Sequence, residues 1–173
     1  MTNQNFKMIE PVEFLDVVDE YDAVIGTAPK EDIYKKSLRH RIVHVLIFNT
    51  EGKMLLQLRN SNLRFCPDHW STAVGGHVQS GESYEQAALR EYQEELGTTS
   101  GLEILAKDDY GAPNSPNKFF TTFTTTHEGP FIIDPEAVAR VEFFTIPEIN
   151  ALIDGGEKFH PELLYILKKY YAS

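Results

Sequence analysis

Glu91, Glu94 and Glu95 stand at i, i+3 and i+4 in the stretch Arg90-Glu91-Tyr92-Gln93-Glu94-Glu95. On a helix these positions share a face, with Cβ atoms about 5–6 Å apart. Carboxylates that close can share a hard divalent cation, and a cation so held suits phosphate chemistry. Arg90 lies four residues before Glu94 and is placed to orient a carboxylate, or to hold the preceding loop through Glu82. Gly75-Gly76 and Gly81 come just before, in what reads as a glycine-rich loop that lets backbone and ligand approach the acidic face. The helix is expected to begin near Glu82-Ser83 and to stop at Leu96, with Gly97 as its C-terminal signal. At about 100° per residue, Ala87 and Ala88 join the acids and leave space for a ligand or loop. Leu89, Tyr92 and Leu96 fall on the adjacent arc and pack inward, while Gln86 and Gln93 face solvent.

The elements needed to hold that helix are legible around it. Val12 to Val18 and Ala23 to Gly26 flank the acidic turn Asp19-Glu20-Tyr21-Asp22 and read as an N-terminal hairpin. A short helix or loop over residues 29–38 leads into the main unit. Arg41 to Phe48, the turn Asn49 to Gly52, and Met54 to Leu58 read as two strands and their connection. Ser71 to Val74 is a short strand feeding the glycines. Leu102 to Ala106, Lys118 to Thr125 and Val138 to Phe144 are further strands, and Phe119 to Thr126 is wholly aromatic and β-branched. Pro147 opens a short helix through Ile153. The last helix, Pro161 to Tyr171, carries Leu163, Leu164, Leu167 and Tyr170 on one stripe. Alternating strands and helices indicate an α/β or α+β sandwich. The division expected is an extension over residues 1–37 and a main domain over 38–173.

The chain matches G-x5-E-x7-R-E-x-x-E-E-x-G at Gly76, Glu82, Arg90, Glu91, Glu94, Glu95 and Gly97. With each residue type at about 6–7% abundance, seven fixed identities coincide by chance about 10⁻⁶ times in a chain this long. At these residues, Gly76 to Thr98, the chain resembles the Nudix hydrolases, and a looser likeness runs from His40 to the C-terminal helix. Tyr92 and Thr98 stand where that family places aliphatic residues. The resemblance implies an α/β/α sandwich around a mixed sheet, and Mg²⁺-dependent hydrolysis of a diphosphate joined to another group, with Mn²⁺ as a substitute. It implies Glu91, Glu94 and Glu95 as metal ligands, a backbone carbonyl at Gly75 completing coordination, and Arg90 and Glu82 as organisers. Glu91 or a later acid would be the general base, and Glu128, in the loop Thr126 to Gly129, is a weaker candidate as an additional metal-site acid. Gly75, Gly76 and His77 stand on the substrate side. The substrate class expected is a nucleoside diphosphate derivative or a nucleoside di- or triphosphate.

His40-Arg41, Leu55 to Arg59, Pro67 to Trp70 and Gly76-His77 also resemble isopentenyl diphosphate isomerases, an alternative within the superfamily. Those enzymes place a catalytic cysteine directly before the Gly-His pair; Gly75 occupies that place here, and the acid pair expected near Asn114 to Phe120 is replaced by a segment containing Lys118. Hydrolysis is the preferred reading. His40 and His77 are isolated histidines of a kind more often structural than metal-bound, and Cys66, the sole cysteine, has no activating neighbour in sequence. A non-catalytic nucleotide-binding module on the same fold is the alternative from another class.

A net charge of −10, from 16 Lys+Arg against 26 Asp+Glu, argues against binding a nucleic-acid polymer through its backbone. Bound divalent cations would relieve the repulsion between such a protein and a small-molecule diphosphate. One cysteine excludes an intramolecular disulfide. Met1 to Pro11 has no apolar core and no run approaches about 20 apolar residues, so no membrane association and a cytoplasmic location are expected. A homodimer through the hairpin or the last helix is the one macromolecular partner considered. Trp70, Tyr110, Phe119 and Phe120 are read as core rather than base-stacking residues.

Overall fold

The computed structural model describes residues 11–172; the polar stretch before Pro11 lies outside the described residues. The elements in chain order are β1 (Phe14–Val18), β2 (Val24–Pro29), α1 (Lys30–Lys35), β3 (His40–Phe48), β4 (Met54–Arg59), β5 (Trp70–Thr72), β6 (Val74–His77), α2 (Tyr84–Leu96), β7 (Glu103–Tyr110), β8 (Lys118–Thr126), β9 (Val138–Phe144), α3 (Ile146–Asp154) and α4 (Pro161–Tyr170).

Strand β3 is the spine. Eight of its nine residues are apolar or imidazole, and seven are fully buried, as a strand covered on both faces requires. It pairs in parallel with β8 and antiparallel with β4 and β6, while β5 and β9 flank β4 and β7 flanks β8. The result is a mixed seven-stranded sheet. Alternation along β3 divides the core: Val43, Val45 and Ile47 pack with Ala87, Ala88, Tyr92 and Leu96 of α2, whereas Ile42 and Leu46 pack with Ile149 of α3 and Leu163, Ile166 and Leu167 of α4. Helices therefore cover both faces, in the α/β/α sandwich that the resemblance implies. Trp70, Tyr110, Phe119 and Phe120 are all buried in it.

Three local readings change. Ser71 to Val74 is not one strand: β5 pairs with β4, and after Ala73 the chain continues as β6 on β3. Gly75 and Gly76 consequently lie within β6, not in a loop. Ala87 and Ala88 are buried against the sheet and make no room for a ligand; their small side chains let α2 settle onto β6. On α4, Leu164 is exposed and Ile166 takes its place in the core, because Leu163, Ile166, Leu167 and Tyr170 at i, i+3, i+4 and i+7 form the inner stripe.

The hairpin β1–β2 forms a separate two-stranded sheet, seated by Leu15, Ala28 and Ile33. Its turn is built by Asp19, whose Oδ1 accepts from the amides of Tyr21 and Ala23, both at 2.9 Å. Beyond the turn, Asp22 accepts from Arg41 Nε (2.6 Å) and the Tyr84 hydroxyl (2.9 Å) and meets Lys107. Asp16 accepts from Ser80 Oγ (2.7 Å) and the Gly81 amide (3.3 Å). The hairpin is thus fastened to the segment that leads from β6 into α2. No helix among the described residues is long and apolar enough to cross a membrane.

Candidate active site at the glycine strand and the acidic helix

Helix α2 has definite ends. Ser83 caps the Gln86 amide and Gln86 returns a bond to the Ser83 amide, a capping box; Gly97 closes the helix at φ 67. Arg90 then organises the segment before it. Its Nε and Nη2 hold Glu82 in a fork at 2.7 and 2.9 Å, Nη2 also donates to the His77 carbonyl (2.9 Å), and Nη1 reaches Glu91 (2.8 Å) and Glu94 (3.3 Å). Glu82 in turn accepts from the Gln79 amide at 2.9 Å. One guanidinium therefore ties the end of β6, the connecting loop and two acids of the helix together, a task for which a planar fork is suited and an ammonium is not.

The glycines explain how close α2 comes. A Cβ on Gly76 would lie 2.1 Å from Glu91 Cδ and 2.2 Å from its Oε1, so the Glu91 side chain occupies the space that any other residue at 76 would fill. Gly75 donates its amide to Glu95 Oε2 at 3.3 Å, and Gln57 Nε2 donates to the same oxygen at 3.1 Å. Burial pushes the Glu91 carboxyl up to about 7 against the pull of Arg90. Burial, with repulsion from Glu91 behind it, pushes Glu95 up to about 8. Glu82 moves the other way, held below the ordinary carboxylate range by its Arg90 hydrogen bonds.

Arg90, Glu82, Glu91, Glu94, Glu95, Gly75 and Gly76 are thus brought to one place. Among the described residues no three acidic, histidine or cysteine side chains converge on a single point, because Arg90 draws Glu91 and the exposed Glu94 while Gln57 and Gly75 hold Glu95. The donor set nevertheless fits a hard divalent cation: all-oxygen, next to a bare glycine backbone, with two carboxylates whose charge is costly without a compensating cation.

Two of the sequence candidates sit elsewhere. The Glu128 carboxylate is engaged by the Thr50 amide (3.0 Å) and hydroxyl in the β3–β4 turn. It is not gathered with the box acids, because β8 delivers it to the far end of β3, where His127 N bonds Phe48 O. His77 contributes its carbonyl to Arg90, but its ring projects to the opposite face of the sheet, bonded to Tyr34 and stacked on His40. Burial raises the Cys66 thiol, in keeping with an inert cysteine. Tyr92, the departure from an aliphatic, packs in the core and bonds His127 Nδ1 at 2.6 Å.

Sequence reasoning missed Gln57 and Arg59. Both alternate with the core residue Leu55 on the α2 face of β4, and a buried Gln within Met-Leu-Leu-Gln-Leu-Arg was the available signal. Arg59 is fixed by the Phe65 and Cys66 carbonyls at 2.9 and 3.1 Å, its Nη1 having no hydrogen-bond partner among the described residues. Its charge is felt at Glu95.

Comparison with known proteins agrees with this geometry. The NUDIX domain model matches residues 38–165. A Nudix hydrolase of Nostoc sp. is 41% identical over 171 residues, spanning 96% of this chain and 100% of that one. The Nudix hydrolase YfcD of Escherichia coli K12 is 29% identical, spanning 93% and 88%. Among solved structures, DR0079 from Deinococcus radiodurans superposes with a TM-score of 0.80 at 28% identity, covering 92% of this chain and all of that one. With the acidic helix, its arginine clamp and the glycine strand in place, the chain belongs to the Nudix hydrolase family, enzymes acting on acid anhydrides in phosphorus-containing compounds.

Proposed function

We propose that this protein is a Mg²⁺-dependent hydrolase of a small-molecule diphosphate, a nucleoside diphosphate derivative or a nucleoside di- or triphosphate, with Mn²⁺ as a substitute metal. The observation that carries the reading is the packing of Glu91 onto the Cβ-less Gly76, with Glu95 on the Gly75 amide and Arg90 clamping the intervening segment. Glu91, Glu94 and Glu95, with the Gly75 carbonyl, would hold the cation, which when bound supplies charge neutralisation at the phosphates and a more acidic water. Arg59, its Nη1 edge open, is placed to receive a phosphate oxygen. In the reaction a water oxygen bonds to phosphorus, the bridging P–O bond breaks, and the leaving phosphate departs with the bond pair. A carboxylate takes the water proton, and Glu91, packed on Gly76 and oriented by Arg90, is placed for that role. Arg90 and Glu82 keep the strand and helix in register and stay out of the chemistry.

The test is a panel of nucleoside diphosphate derivatives and nucleoside triphosphates assayed with Mg²⁺, comparing wild type with Glu94→Gln and Glu95→Gln. Metal-dependent turnover is expected in wild type and should drop at least 10²-fold in each variant. Turnover that survives both substitutions would sink the assignment, and tight binding without turnover across the panel would favour a non-catalytic nucleotide-binding module.

A further inference from the structure

Four of the six histidines gather on the face of the sheet opposite α2, where the hydrolytic reading uses none of them: His40, His44, His77 and His160. His44 and His160 are accounted for by Glu162, which lies 3.1 Å from His44 Nε2 and receives Lys118 Nζ at 2.8 Å; this buried network ties α4 to β3 and β8. His40 is not accounted for. It is 0% exposed, its Nδ1 faces the Leu38 carbonyl at 3.2 Å, and its Nε2 has no partner among the described residues. With Nδ1–H donating, Nε2 is a bare acceptor lone pair, and a buried acceptor left without a donor is destabilising. Burial also holds this imidazole neutral, with its pKa down to about 4.

The ring beside it shows what the place accepts. His77 stacks on His40 with centroids 5.6 Å apart and planes 22° apart, and its Nε2 meets a hydroxyl, that of Tyr34, at 2.7 Å. Tyr34 comes from α1, is 44% exposed, and stands edge-on over both rings at 5.5 and 5.8 Å. Two imidazole faces thus lie side by side under a half-exposed tyrosine whose hydroxyl satisfies one of them. The charges nearby are already balanced, Lys118 by Glu162 and Lys30 by Glu13 (2.8 Å each), so an ionic ligand would find no counter-charge. A neutral donor fits, and two adjacent acceptors call for two donors.

We propose that His40 and His77 form a subsite for a vicinal diol, such as that of a ribose, with the Tyr34 hydroxyl holding the place of one ligand hydroxyl until it is displaced. The inference rests on the hydrolase reading only in taking the diol to be carried by the nucleotide whose phosphates lie at Glu91 and Glu95. The two sites share strand β6, which turns Gly76 to Glu91 on one face and carries His77 on the other, and whose only ladder partner among the named strands is β3. A ligand passing along the unpaired edge of β6 would reach both.

The experiment is a binding titration of the intact protein with adenosine 5′-monophosphate, its 2′,3′-dideoxy counterpart and ribose 5-phosphate, read by calorimetry and by the ¹⁵N signals of the histidine rings. None of these probes contains a phosphoanhydride, so the result is independent of hydrolysis. The ribose-bearing probes should shift the His40 and His77 signals, and the monophosphate should bind at least tenfold more tightly than its dideoxy form. Tyr34→Phe, which removes the competing hydroxyl, should tighten the ribose-bearing probes, and His40→Phe should erase the tenfold difference. Equal affinity for the ribo and dideoxy forms in wild type, or ring signals unmoved by every probe, would overturn the proposal while leaving the hydrolase reading standing. If instead diol binding is seen and no substrate is turned over with Mg²⁺, the hydrolase reading falls and the subsite remains.

Discussion

Gly76→Ala isolates the approach of strand to helix from every other feature of the site. The backbone at Gly76 is not in the left-handed region, so alanine is conformationally acceptable there, and the three atoms nearest its Cβ would all belong to the Glu91 side chain. Carbon atoms rest about 3.5 Å apart, and the new Cβ would be 2.1 Å from Glu91 Cδ, so the carboxyl must retreat by about 1.4 Å (3.5 − 2.1). A displacement of about 1 Å at a reacting group costs about 10² in rate, or about 2.7 kcal/mol at 1.36 kcal/mol per factor of ten. The clash reaches Glu91 Cγ (2.6 Å) as well as a carboxyl held by Arg90, so the fold should lose about 1–3 kcal/mol, which in a chain of this size lowers Tm by about 2–4 °C for each kcal/mol. The assay is kcat/KM for metal-dependent phosphate release beside thermal unfolding and Mn²⁺ affinity by calorimetry. Gly75→Ala should lose less than Gly76→Ala, since its Cβ would meet His44 Nδ1 at 3.3 Å and needs a shift of only tenths of an ångström. Gly76→Ala with undiminished kcat/KM, or with a loss matched by its unfolded fraction, would refute the reasoning. A cycle with Glu91→Gln adds a second check: the two losses should be far from additive, because both act through one carboxylate.

Three other outcomes follow from the same geometry. Without metal, Glu91 and Glu95 bind protons more tightly folded than unfolded, so their contribution to stability is fully present below the unfolded carboxylate range and is lost as pH rises through about 7 to 8; metal-free Tm should therefore fall from pH 5 to pH 8.5, Mg²⁺ should restore most of it at the upper end, and a flat metal-free profile would contradict the buried, unpaired state of these acids. Arg90→Lys should cost about 10² in kcat/KM and lower Tm, because an ammonium cannot hold Glu82 in a fork while also reaching the His77 carbonyl; kinetics equal to wild type would show that the clamp is dispensable. Glu162→Gln leaves Lys118 without its buried counter-ion and should destabilise the fold by about 3–5 kcal/mol, measured by urea denaturation, with a change under 1 kcal/mol excluding a structural role for the pair.

The acidic box was readable because its residues act through local spacing. Glu82, Arg90, Glu91 and Glu94 lie within about three helical turns and a loop, and Ser83 and Gly97 mark the helix ends, so one-dimensional periodicity was enough to gather them. What failed to read was set by the sheet. Gly75 and Gly76 look like a loop because glycine has no strand preference, yet the pairing of β6 with β3 over residues 42–45 makes them strand. Glu128 looked adjacent to the site in chemistry, and only the parallel β3–β8 register, which carries it to Thr50, shows otherwise. Gln57 is brought to Glu95 by the packing of α2 onto β6 and β3, a contact between residues 38 positions apart, and Arg59 follows it on the same face of β4.

The two consecutive glycines serve opposite faces, and that accounts for both of them. Strand alternation sends position 76 toward α2 and position 75 toward α4. On the first side the missing Cβ is replaced by Glu91, and on the second it leaves backbone against the buried His44–Thr72 pair, where the Thr72 hydroxyl is 2.9 Å from His44 Nδ1 and donates to the Val74 carbonyl at 2.9 Å. A side chain at 76 would move an acid, and one at 75 would press on a hydrogen-bonded floor fixed through Glu162 to α4. Both helical layers thus bear on one short strand, the α2 layer through a carboxylate and the α4 layer through an imidazole. Strand β6 therefore cannot shift toward either layer without pressing on a side chain fixed there.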